Sequence, residues 1–128
     1  MKTKTVKKEN TIKLSFHLKY QTTYGQSIWI YGNHPLLGGG EIHNAIPLVY
    51  LNETYWVLHL NFPKTELADK IIYHYLIKDD KAGEILEWGN DKLIDLSSIT
   101  NDELVLIDTW NFAGQIENVF YTEPFTST

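Results

Sequence analysis

Ile12, Leu14, Phe16, Leu18 and Tyr20 occupy every second position of one stretch, and Lys13, Ser15, His17 and Lys19 fill the places between them. A period of two sends the two sets to opposite faces of an extended chain, so this is a strand with one face in a core and the other toward water. Residues 55–62 repeat the pattern, with Trp56, Leu58, Leu60 and Phe62 inward and Val57, His59 and Asn61 outward. Shorter runs of strand character lie at 28–31, 71–78, 84–88, 93–96 and 104–108. Residues 45–50 form a further short strand that Pro47 places at a sheet edge. Turn residues separate these runs: Gly25, the loop 33–44 with Pro35 and Gly38-Gly39-Gly40, the hairpin 79–83, and Asn90-Asp91. The loop 33–44 reads as too flexible for regular structure, and 63–70 as a charged connection with room for one helical turn. Seven or eight short strands with no convincing helix predict an all-β, antiparallel, immunoglobulin-like β-sandwich.

The totals exclude several functions. A chain of 128 residues, 43% hydrophobic and 21% charged, suits one globular domain. It buries roughly two-thirds of its unfolded surface and needs no disulfide or metal staple. There is no cysteine, which removes thiol nucleophiles and zinc–thiolate clusters. A net charge of −5 provides no basic footprint for nucleic acid. Residues 1–10 are rich in lysine and lack the apolar run of a secretory signal, and no stretch nears the ~20 apolar residues of a membrane span. The expectation is a cytoplasmic protein with a mobile tail over 1–11, a sandwich over 12–108 and a linker over 109–128. The linker expectation rests on 108–125, which lacks strand periodicity.

Aromatic residues make up 13% of the chain, including four Trp and eight Tyr. One is conspicuous. Tyr24-Gly25 lies in a polar bend between two strands, and a positive φ at Gly25 would tip the neighbouring ring outward. An aromatic ring held on a β scaffold at a loop tip is a binding device.

Tyr20-Gln-Thr-Thr-Tyr-Gly-Gln-Ser-Ile-Trp-Ile-Tyr-Gly-Asn33 followed by Pro35-Leu-Leu-Gly38 resembles carbohydrate-binding module family 20, the starch-binding domains. The likeness continues through Ala45-Ile-Pro-Leu48, Tyr55-Trp56, Phe62-Pro63, Tyr73-His-Tyr75 and Glu87-Trp-Gly89, and so spans about residues 12–96. The resemblance implies an immunoglobulin-like sandwich and two glucan sites. Glucan chains present C–H faces that stack on aromatic rings and hydroxyl rims that need fixed donors and acceptors.

For the first site, the family's two Trp positions fall here at Gly40 and Leu86, its Lys at His74 and its Asn at Asp91, while Glu87 keeps its identity. Trp88, two residues from Leu86 and on the same face if the strand stays extended, is a displaced ring beside His74 and Asp91, or else packs on the sandwich edge. For the second site, Tyr24 matches residue for residue, and Tyr50 occupies the corresponding connection with Asn52 and Glu53 beside it. Trp56 also matches, and alternation places it in the core. The segment 108–125 is similar to the stretch that joins tandem modules in 4-α-glucanotransferases of glycoside hydrolase family 77. The partners implied are therefore starch, glycogen or malto-oligosaccharides, with a following module and catalytic domain.

Other chemistry finds little support. Five histidines show no paired metal spacing, and surface acids such as Glu41, Asp79, Asp80 and Glu84 show no sign of the paired burial that glycoside hydrolysis needs. No nucleotide or hydrolase fingerprint is present, and no cofactor is implied. The leading reading is non-catalytic α-glucan binding. Against it stand a spacer or protein-contact sandwich that has lost sugar binding, and a small enzyme resting on the scattered carboxylates.

Overall fold

A computed structural model describes residues 11–63 and 70–112. Among the described residues nine strands run in chain order: β1 (Thr11–Lys19), β2 (Gln26–Gly32), β3 (Ile46–Pro47), β4 (Val49–Tyr50), β5 (Tyr55–Pro63), β6 (Lys70–Asp79), β7 (Gly83–Leu86), β8 (Leu93–Asp95) and β9 (Glu103–Thr109). One sheet has the order β4-β5-β1-β9; the other has β3-β2-β6-β7, with β8 also paired to β6. The two sheets face each other as a β-sandwich. The inward face of β1 is as the alternation predicts, for Ile12, Leu14, Phe16 and Leu18 are completely buried, while on the other face Ser15 is buried too and only Lys13 and Lys19 are exposed. They meet Ile28 and Ile30 of β2, Phe62 of β5 and Ile71, Tyr73, Tyr75 and Ile77 of β6 in one core.

Several details depart from the sequence reading. β9 pairs with β1 in parallel, whereas the other pairings are antiparallel. Residues 45–50 are two strands, not one edge strand. β3 pairs with β2 and β4 with β5, so the chain changes sheet at buried Leu48. The loop 33–44 is ordered by two 3-10 turns, Pro35–Gly40 and Ile42–Asn44. His34 opens the first by accepting the Leu36 N–H on Nδ1 at 3.0 Å, and Gly38, at φ +88°, sits where a Cβ would lie 2.7 Å from the Asn44 carbonyl oxygen. The tail over 1–10 and most of the charged connection after Pro63 lie outside the described residues, and Thr11 belongs to β1.

The sheets are tied by more than apolar contact. Asp108 of β9 accepts hydrogen bonds from the Tyr73 hydroxyl at 2.7 Å and the Tyr75 hydroxyl at 2.8 Å. Burial raises both phenols well above their ordinary value, and the Asp108 charge adds to it. Both therefore stay protonated donors, and a buried hydroxyl left without its acceptor costs about 1–3 kcal/mol.

The chain after β9 also packs. Trp110 is buried in the core and lies 5.7 Å from the Tyr20 ring. The expected linker thus begins with residues that complete the sandwich, and 113–128 lie outside the described residues.

Candidate glucan-binding surface

Tyr24 stands at the tip of the bend between β1 and β2 and is fully exposed. Gly25 takes φ +91°, as the bend requires. The bend is braced from beneath. Gln26 donates its N–H to the Thr23 carbonyl at 3.1 Å, its Oε1 accepts the Thr23 N–H at 2.9 Å, and its Nε2 donates to Asp79 at 3.0 Å. Asp80 donates its N–H to the Gly25 carbonyl at 3.0 Å. The Asp79 carboxyl is held below the usual carboxylate range by the Ala82 and Lys81 amides and by Gln26, so it stays ionised and keeps these bonds. The backbone that carries the tyrosine is thus fixed.

Tyr50, Asn52 and Glu53 lie at the same end of the sandwich, around the turn from β4 to β5. Tyr50 is half exposed and packs edge-on against Trp56, with centroids 5.4 Å apart at 79°. The Trp56 indole is buried, as alternation foretold, and its Nε1–H donates to the Thr22 hydroxyl at 3.3 Å. Tyr20 donates its N–H to the Thr54 carbonyl at 3.0 Å. The Tyr24 bend and the Tyr50 turn are therefore joined through Thr22, Trp56 and Thr54. Asn52 spends its Oδ1 on the Thr54 and Tyr55 amides at 2.8 and 2.9 Å, which leaves its Nδ2 for a ligand hydroxyl. Two aromatic rings with an amide and the exposed Glu53 carboxylate suit a sugar chain lying across them.

The residues aligned with the first site gather elsewhere. β2 has seven residues, so its two ends are roughly 20 Å apart. The Tyr24 bend precedes β2, while Tyr31 near its far end stacks on His74 with centroids 5.3 Å apart at 20°. Tyr31, Gly40 and His74 line a shallow groove of about 240 Å³. His74 Nε2 lies 2.8 Å from the Gly89 carbonyl and 2.9 Å from Asn90 Oδ1. Both are acceptors, so this nitrogen carries the hydrogen.

Trp88 does not continue β7, contrary to the extended geometry expected. The edge strand ends at Leu86 and resumes at Leu93. Between them Gly89 takes φ +93° and the chain bulges outward. Trp88 is exposed at 44%, its N–H donates to the Asn111 carbonyl, and Asp91 accepts from Asn111 Nδ2 at 2.6 Å.

Glu87 is placed differently from what the resemblance implies for a sugar contact. Its side chain is buried. One oxygen accepts the Tyr75 N–H at 3.1 Å; the other accepts Lys92 Nζ at 2.6 Å and the Asn111 N–H at 2.9 Å. Burial raises its carboxyl above the ordinary value, opposed chiefly by Lys92. Glu87 thus closes the base of the bulge and holds Trp88, Asn90 and Asp91 outward from within.

Sequence reasoning passed over two aromatic residues on the outer face of the second sheet, Trp29 and Tyr31. Lys78 Nζ sits 3.7 Å from the Trp29 ring centroid, and Trp29 Nε1–H donates to the Ser27 hydroxyl at 2.9 Å. The signal was available: with Ile28 and Ile30 inward, both aromatics must face out. The histidines His17 and His59 belong to the outer face of the first sheet, where His59 Nδ1 lies 2.7 Å from the Ser15 hydroxyl. Among the described residues there is no cluster of three metal-ligating side chains, and no helix is long and apolar enough to cross a membrane.

Comparison with known proteins agrees with this architecture. A family model, that of the starch binding domain, matches residues 11–104. Among solved structures, the glycoside hydrolase family 15 glucoamylase from Hypocrea jecorina is similar at 20% identity and a TM-score of 0.69, over 80% of this chain and 18% of that one. The γ-CGTase from alkalophilic Bacillus clarkii is similar at 17% identity and a TM-score of 0.63, over 80% of this chain and 15% of that one. The family 20 module of the maltotetraose-forming amylase from Pseudomonas saccharophila STB07 is similar at 14% identity and a TM-score of 0.60, over 77% of this chain and 100% of that one. The chain thus spans less than a fifth of the length of this glucoamylase and of this γ-CGTase. No curated protein matches it in sequence.

Proposed function

This chain belongs to the starch-binding domain family, and from that premise we propose that it is a non-catalytic module holding starch-like α-glucans or malto-oligosaccharides for an attached 4-α-glucanotransferase. The observation that carries the reading is Tyr24, a fully exposed ring on a bend whose backbone is fixed by Gln26, Asp79 and Asp80. The C–H face of a pyranose stacks on a ring presented in this way. Tyr50, Asn52 and Glu53 supply the second ring and the polar partners.

Tethering raises the glucan concentration at a neighbouring catalytic domain without adding chemistry of its own. The glucanotransferase is proposed from the likeness of segment 108–125 to the stretch between tandem modules in those enzymes. A second reading, a sandwich that has lost sugar binding, is favoured by Gly40 and Leu86, which leave the first site without its two rings.

Sedimentation with insoluble starch tests the proposal. The protein is expected to pellet with the granules, to be released by maltoheptaose, and to leave maltoheptaose unchanged in length after prolonged incubation. Protein that stays in the supernatant overturns glucan binding, and shortened or lengthened oligosaccharides overturn the non-catalytic assignment.

A further inference from the structure

We propose that the groove walled by Tyr20, Trp110 and Phe112 is an additional sugar-binding site that accepts one or two glucosyl units of an α-glucan chain. The inference rests on the glucan-binding reading above but on none of its residues except Glu53.

Three segments build the groove: the end of β1, the turn from β4 to β5, and the chain leaving β9. Its volume of about 450 Å³ falls within the range of small-molecule sites. Buried Trp110 forms the floor. The Tyr20 and Phe112 rings lean on it, with centroids 5.7 and 6.4 Å from its own and 6.4 Å from each other. Phe112 is 47% exposed, so part of its ring is open to a ligand. The rest of the lining is polar: Lys19, Gln21, Glu53, Thr54 and Thr109, residue types that carry an ammonium, an amide, a carboxylate and hydroxyls.

This pairing of rings and polar lining selects the ligand class. An apolar peptide side chain could cover the rings but would leave the polar groups without new partners. A pyranose uses both, its C–H face on the rings and its hydroxyls on the polar donors and acceptors. Glu53 adjoins Asn52 in the turn that carries Tyr50, so a glucan bound at the Tyr24 end lies next to this groove.

The test uses the full chain with Tyr24→Ala in place, titrated with maltoheptaose and followed through its backbone amide and indole N–H resonances. Saturable shifts are expected at Gln21, Thr54 and the Trp110 indole. Phe112→Leu, which keeps apolar bulk but removes the ring face, is expected to weaken that binding by about tenfold or more. Phe112→Trp restores it. If the unsubstituted chain binds maltoheptaose with shifts confined to the Tyr24–Tyr50 end, the groove is not a sugar site. The same follows if Phe112→Leu leaves the affinity unchanged. An unsubstituted chain that binds no maltoheptaose anywhere overturns the proposed function itself, a result distinct from either of these.

Discussion

Tyr24→Ala is expected to remove most of the affinity for α-glucans while shifting Tm by no more than about 3 °C. The two effects separate because the side chain is fully exposed, whereas the bend beneath it is held by backbone atoms and by Gln26. A sugar covering ~80 Å² of ring gains ~2 kcal/mol at ~25 cal/mol per Å², which corresponds to about thirtyfold in affinity. Tyr24→Phe keeps the ring face and is expected to retain most of the binding. Calorimetric titration with maltoheptaose, alongside thermal unfolding, checks both variants. A large fall in Tm for Tyr24→Ala would instead mark the ring as structural, and unchanged affinity would remove it from the site.

The largest expected loss of stability comes from Lys92→Met. Lys92 and Glu87 form an ion pair at 2.6 Å with side-chain exposures of 9% and 1%. Removing one partner of such a pair costs about 3–5 kcal/mol, because the other charge stays buried without compensation. The loss also depends on pH. Burial raises the folded-state value of Glu87, so the folded chain holds this proton more tightly than the unfolded chain does. Stability therefore falls as pH rises from the ordinary carboxylate range through the raised folded value. Lys92 opposes that rise, and without it the folded value climbs further and the loss extends to higher pH. The deficit of Lys92→Met is then greatest near neutrality and shrinks on acidification, where protonated Glu87 needs no counter-charge. Urea unfolding at several pH values measures it, and a deficit that stays constant with pH contradicts the assignment.

Much of the fold was legible because one physical rule wrote it. The strict alternation of Ile12 to Tyr20 placed β1 and its inward face, and the alternation of Trp56 to Phe62 did the same for β5. The Tyr24-Gly25 pair foretold an outward ring, since a bend with positive φ leaves few alternatives. Other features carry no such periodicity. Glu87 and Lys92 are five residues apart, which on a regular strand would point them to opposite faces. Only the outward bulge of Trp88 to Asp91 brings them together, so the buried pair left no trace in the pattern. The parallel pairing of β9 with β1 is set by which edge remains free once the other strands are placed, a matter of tertiary topology. Trp110 and Phe112 follow the last strand in an aperiodic segment, where a core residue and a linker residue look alike. Trp29 and Tyr31, in contrast, were readable from their buried neighbours Ile28 and Ile30.

The site divides along the same line. Tyr24, Tyr50, Asn52 and Glu53 meet at one end because the β1–β2 bend and the β4–β5 turn are bonded to each other. His74, Trp88 and Asp91 meet near the other end of the second sheet, with Glu87 beneath them. The first group has the exposed rings Tyr24 and Tyr50 with the exposed Asn52 and Glu53; the second has Gly40 and Leu86 at the positions where the resemblance implies tryptophan.

Calorimetric titration with β-cyclodextrin, whose curved glucan mimics a turn of amylose, tests the central claim most directly. Saturable binding at one dominant site, displaced by soluble starch and weakened about thirtyfold in Tyr24→Ala, is the result expected of a starch module working mainly through the Tyr24–Tyr50 end. Absence of heat together with absence of competition by starch would contradict it and leave a sandwich that no longer binds sugar.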